Sequence, residues 1–148
     1  MPADAPSDPL DALHDLEAAL ASEERELRGI LSLGTNDIVV LRLLLAAEQA
    51  DASVRPSEIS RTLAISTAAT TALIDRLESR GYLARRPHES DRRSIRLTAT
   101  IPDDSPVRAA FATSRGHRAD ALGGLQPEHR DAVASAFRRL SSAIAPSE

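Results

Sequence analysis

Apolar and polar positions follow a helical period over most of the chain and a strand period over one short stretch. In "SDPLDALHDLEAALASEERELRGIL", Leu13, Leu20 and Leu27 recur at every seventh position. Leu10 and Leu16 fill the same stripe, and Glu17, Glu23, Glu24 and Glu26 lie opposite. This spacing predicts an amphipathic helix. Asp8 can cap it, and Pro9 suits its first position. Residues 1–7 read as a disordered start. "SLGTNDIVVLRLLLAAEQA" predicts a second helix, apolar nearly all round and therefore central, with Thr35 as its expected N-cap. "QADASVR" reads as the loop that follows.

"PSEISRTLAISTAATTALIDRLESRG" predicts two helices. Pro56 opens a short one that ends near Leu63. Ser66 caps another, which runs to Arg80 and stops at Gly81. Ile59, Leu63, Ala69, Leu73 and Leu77 form the expected inward face. Two helices joined by so short a turn make a helix-turn-helix. "YLARR" and "SIRLT" then alternate around the polar "PHESDRR", which predicts a β-hairpin. Together these elements give a mainly α, winged helix-turn-helix fold. Pro106 and Pro127 open two further helices. The first carries Val107, Ala110, Phe111 and Leu122, and the second Val133, Ala136, Phe137, Leu140 and Ile144. These stripes and that of the first helix need cover, from each other or from a second copy of the chain.

Charge sharpens the reading. The 148 residues carry a net charge of −4, and every basic residue is arginine. Residues 1–54 hold three arginines against eleven acids, a net −8, whereas residues 55–98 hold nine against five, a net +4. Five arginines fall between Gly81 and Thr98. Polyanion binding depends on local charge at the contact face, so the middle of this acidic chain suits nucleic acid. Cysteine is absent, which excludes disulfides and thiolate metal sites. The histidines have no metal-ligand spacing. No phosphate loop or nucleophile motif occurs. No cofactor and no catalysis are expected. Without a long apolar run or a leader-like start, the expected setting is cytoplasmic, with no membrane partner.

The face of the second paired helix opposite Leu73 presents Thr67, Ala68, Thr71 and Asp75, flanked by Thr70, Ala72 and Arg76. Small side chains let a helix enter the major groove, and threonine methyls suit thymine methyls. Arg85 and Arg86 close one strand, and Arg92 and Arg93 precede the other. A narrow hairpin tip bearing guanidiniums fits the negative potential of the minor groove. Asp75 and Asp91 would repel phosphate unless paired, so Asp75 is expected to meet Arg93 or another hairpin arginine.

Over "ISRTLAISTAATTALIDRLESRGYLARRPHESDRRSIRLT" the chain resembles the MarR family of transcription regulators. The matching residues are Ser66, Leu73 to Leu77, Gly81, Asp91-Arg92-Arg93 and Leu97-Thr98. The resemblance implies a homodimer held by the first and last two helices, hence by Leu10, Leu13, Leu20, Val133, Phe137, Leu140 and Ile144. The implied division is a helical dimerisation region at 8–33 and 105–146 around a winged-helix lobe at 34–100. It implies double-stranded DNA as partner, with Ser66, Thr67, Ala68, Thr70, Thr71 and Arg76 on the recognition helix. Arg85, Arg86, Arg92 and Arg93 belong to the wing, braced by Asp75 and Asp91. It further implies a repressor more often than an activator, and a cleft that takes a small aromatic effector. Ala72 stands where the family often has an arginine, and Ala64 where the turn often has glycine. "ATIPDDSP" departs from the usual entry to the fifth helix. The reading of another class is a winged-helix protein–protein module whose hairpin docks an acidic partner and which has no operator.

Overall fold

The computed structural model describes residues 8–87 and 94–144. Their elements, in chain order, are α1 (Pro9–Leu31), α2 (Thr35–Gln49), α3 (Pro56–Leu63), α4 (Thr67–Ser79), β1 (Leu83–Pro87), β2 (Ile95–Ala99), α5 (Pro106–Gly123) and α6 (Pro127–Ile144). Prolines open α1, α3, α5 and α6, where the missing N–H would have had no helical partner. This is the mainly helical, winged arrangement that the sequence pattern predicts. Two compact units divide it, one up to Ala110 and one from Phe111 onward.

In the first unit, Asp8 caps α1 by accepting the Leu10 N–H at 2.9 Å. The helix ends at Ser32, which takes a left-handed conformation with φ +50°. Leu27 and Leu31 are buried near this end, while Leu10, Leu16 and Leu20 stay exposed. α2 turns 95° from α1. Its N-cap is Gly34, one residue before the expected Thr35. The reason is local: the Gly34 carbonyl accepts the Ile38 N–H, and its own N–H donates to Asp37 Oδ2 at 2.9 Å. Ile38, Leu41 and Leu44 of α2 are fully buried, as are Ile59, Ile74, Leu77, Leu83 and Leu97. This aliphatic cluster is the core, and α2 runs through it.

β1 and β2 pair antiparallel, with Leu83 opposite Ala99, Arg85 opposite Leu97 and Arg86 opposite Arg96. The stretch read from sequence as a plain loop contributes a third rung. Val54 donates to the Leu97 carbonyl at 3.2 Å and accepts the Leu97 N–H at 2.8 Å. Val54 is buried, so this one-residue bridge closes the base of the hairpin. At the start of α5, Arg108 donates to the Ile101 carbonyl at 2.7 Å and to Glu48 Oε2 at 2.6 Å. That hydrogen bond holds the Glu48 carboxyl below its ordinary range.

In the second unit, the end of α5 leads through residues 124–126 into α6. Arg130 donates to the Leu125 carbonyl at 3.2 Å and steadies this turn. Leu122, Leu125, Val133, Ala134 and Phe137 line an open groove of about 350 Å³. No residue of α6 is buried. No single helix among the described residues is long and apolar enough to cross a membrane.

Candidate nucleic-acid interface

α3 and α4 are set by their ends. The Arg55 N–H donates to Glu58 Oε2 at 2.6 Å, and Pro56 occupies the first position of α3. The turn needs one left-handed residue, and Ala64 supplies it at φ +50°. A non-glycine residue is strained there because its Cβ crowds the following carbonyl. Ser60 Oγ donates to the Ile65 carbonyl at 2.8 Å across the turn. Ser66 then caps α4, its hydroxyl accepting the Ala69 N–H at 3.2 Å. α4 stops at Gly81, whose φ of +74° favours a residue without Cβ.

The inward face of α4 is Thr70, Leu73, Ile74 and Leu77, all buried. This corrects the sequence reading by one position: Ala69 is exposed, and Thr70 takes its place in the core. Thr70 escapes the cost of a buried hydroxyl by donating to the Ser66 carbonyl at 3.0 Å. Buried in this way, it presents nothing to a partner outside the lobe. Ser66, Thr67, Ala68, Thr71 and Ala72 remain exposed. Thr71 donates to the Thr67 carbonyl at 3.0 Å. The outer surface of α4 is therefore slim and carries little charge of its own.

Its two charged neighbours are both engaged. Asp75 forms an ion pair with Arg85 of β1, and Glu78 pairs with the same guanidinium. Glu78 also accepts the Arg85 N–H at 3.2 Å. The hydrogen bond that Arg85 donates to Asp75 holds its guanidinium above its ordinary, already basic range. This clamp joins the hairpin to α4, and Glu78 is the member that the sequence reading did not single out. The signal was present, since Asp75 and Glu78 sit three residues apart on one helix face. Arg76 donates to Asp37 Oδ1 at 2.5 Å. The Asp37 side chain is only 4 % exposed, whereas that of Arg76 is 51 % exposed. Asp37 was not among the expected site residues either.

Arg86 is exposed on β1. By the strand alternation it lies on the sheet face away from Leu83 and Leu97, directly opposite Arg96. Asp91, Arg92 and Arg93 lie outside the described residues. Of the expected dimer residues, Leu10, Leu20, Phe137 and Ile144 are exposed, while Leu13, Val133 and Leu140 are half-buried. Among the described residues, no group of histidine and acidic side chains could hold a metal ion.

Comparison with known proteins gives this surface a context. Residues 35–95 match the MarR family. Across 111 residues the chain is 27 % identical to the transcriptional repressor MprA of Escherichia coli, covering 75 % of this chain and 63 % of that protein. It therefore spans less than two thirds of that relative's length. It is 29 % identical to the HTH-type transcriptional regulator YfiV of Bacillus subtilis, covering 89 % of this chain and 94 % of the other. Its fold is similar to that of a mutant MepR of S. aureus bound to an oligodeoxyribonucleotide. The TM-score is 0.57 at 14 % identity, with 94 % and 99 % of the two chains covered.

Proposed function

Over residues 35–95 this chain belongs to the MarR family, and from that premise we propose that it is a transcription regulator that binds double-stranded DNA as a homodimer. The observation that carries the reading is the outer face of α4. Ser66, Thr67, Ala68 and Thr71 are exposed and small, so the helix can approach base edges in the major groove. Beside it, the clamp of Arg85 with Asp75 and Glu78 ties the arginine hairpin to the same helix. Arg86, and Arg92 and Arg93 beyond it in sequence, are assigned to the flanking minor groove or its phosphates. A fold similar to this one, that of a mutant MepR of S. aureus, is known bound to an oligodeoxyribonucleotide, which supports DNA as the partner.

The dimer follows from what a single chain leaves open. An eighteen-residue amphipathic helix with no fully buried residue, and an α1 that leaves Leu10, Leu16 and Leu20 exposed, call for a second copy. Two-fold symmetry then asks for a pseudo-palindromic operator with half-sites about one helical turn, roughly 10 bp, apart. Repression is the assigned direction, as for MprA. Release by a small aromatic acid is the regulatory arm of this reading, and it rests on the family alone. The protein is a regulator and not an enzyme.

The test is selection of bound sequences from random duplexes by the purified protein, repeated with phenolic acids present. A palindrome is expected. Replacing both Arg92 and Arg93 by alanine should weaken binding to selected and unrelated duplexes alike and flatten the salt dependence by about two phosphate contacts. Unchanged binding and slope in that variant would reject the role of the wing.

A further inference from the structure

The sequence assigns Arg76 to the DNA-binding face, but its guanidinium is committed elsewhere. We propose that Arg76 is a positioning residue that fixes the rotation of α4 through Asp37, and is not itself a DNA contact. The proposal rests on the DNA-binding reading of α4 given above.

Asp37 sits in the first turn of α2, and its two oxygens have separate tasks. Oδ2 accepts the Gly34 N–H that starts α2, and Oδ1 accepts from Arg76, 39 residues further along the chain. α2 is the helix that runs through the core, so the pair ties the recognition helix to the most fixed element of the lobe. Drawing Arg76 away to a phosphate would leave a buried carboxylate short of a partner, which costs more than leaving a neutral group unpaired. That cost offsets the charge-assisted bond a phosphate would return.

Apart from the Arg85 clamp, which ties α4 to the hairpin and not to α2, the attachment of α4 is of a different kind. Thr70, Leu73, Ile74 and Leu77 hold it by apolar burial, which has no directional preference. The Arg76 ion pair is directional, and a buried charge of this sort best serves to set register. The demand on register is high. A rotation of about 10° moves a side-chain tip about 5–6 Å from the helix axis by about 1 Å. That is enough to spoil contacts from Thr67 and Thr71 to base edges.

The experiment compares wild type with Arg76→Ala, Asp37→Asn and the double variant. The probes are the duplex that wild type selects and a scrambled duplex, each measured across a salt series well below the lowest melting temperature. Each single variant is expected to lower the selected-over-scrambled ratio about 10-fold, or about 1.4 kcal/mol. The double variant should be no worse than either single one, and the salt slope of Arg76→Ala should match wild type. A slope lowered by about one, with equal losses on both duplexes, would make Arg76 a phosphate contact and overturn the proposal. An unchanged ratio in both single variants would reduce the pair to a stabilising contact and overturn it as well. Arg76 is half-exposed, so Arg76→Ala carries both readouts alone if Asp37→Asn does not fold. A wild-type protein that selects no duplex overturns the DNA-binding reading, and this proposal with it.

Discussion

Helices α2 and α6 are similar in length and both carry apolar side chains, yet they meet different fates in the single chain. α2 buries Ile38, Val40, Leu41, Leu44 and Leu45, while α6 buries none of its eighteen residues. Around α2 the sequence closes a core mainly of leucine, isoleucine and valine. In α6 the corresponding stripe leaves Phe137 and Ile144 exposed and Val133 and Leu140 only half-buried. The winged lobe is thus finished by its own chain, and the terminal helix is not. On the proposed reading, the contrast separates two physical jobs: presenting a recognition surface, and recruiting a second copy to repeat it.

The sharpest way to break this contrast is to remove the same kind of group from each region. Leu41→Ala should cost about 2–5 kcal/mol in chemical unfolding, because it leaves a cavity in a fully enclosed site. Phe137→Ala in dilute protein should cost well under half as much. Equal costs would mean that α6 is already covered.

The second prediction concerns assembly. Phe137→Asp combined with Leu140→Asp should halve the mass seen by light scattering and lower operator affinity on the order of 100-fold, about 2.7 kcal/mol. The lobe should keep its unfolding transition. If mass and affinity are both preserved, another surface joins the copies.

Smaller effects sharpen the account of the lobe itself. Ala64→Gly relieves the left-handed turn between α3 and α4 and should stabilise the lobe by about 1 kcal/mol. The relief outweighs the extra freedom that glycine gives the unfolded chain. Thermal unfolding would check this. The smallest effect is expected at Glu48, which is 42 % exposed in its pair with Arg108. Its folded carboxyl titrates below the ordinary value of 4.5. The pair's contribution is therefore fully present above that value and is lost as pH falls through the folded one. The stability gap between wild type and Glu48→Gln should close on acidification, and a gap that widens would contradict the assignment.

Much of the fold is legible in the sequence because its signals are local. The prolines at 9, 56, 106 and 127, the caps at Asp8 and Ser66, and Gly81 each act within a few residues. What the sequence hides has other physical causes. Thr70 passes for polar and Ala69 for apolar. Yet a threonine that back-bonds to the preceding turn buries well, and this shifts the inward face by one position. Val54 pairs as a single residue, too short for any alternation to register. The partnership of Arg76 with Asp37 spans 39 residues and has no local pattern at all. Charge counts have the same weakness, since they locate the arginines without saying which already have a protein partner.

The clamp on Arg85 bears on how the molecule would behave among vast stretches of irrelevant genome. A guanidinium satisfied by two carboxylates of its own chain exerts little pull on passing polyanions. On the proposed reading, only the residual cations would displace counterions from a random site, so sequestration on bulk chromosome would stay low. The search for one rare target is correspondingly less burdened.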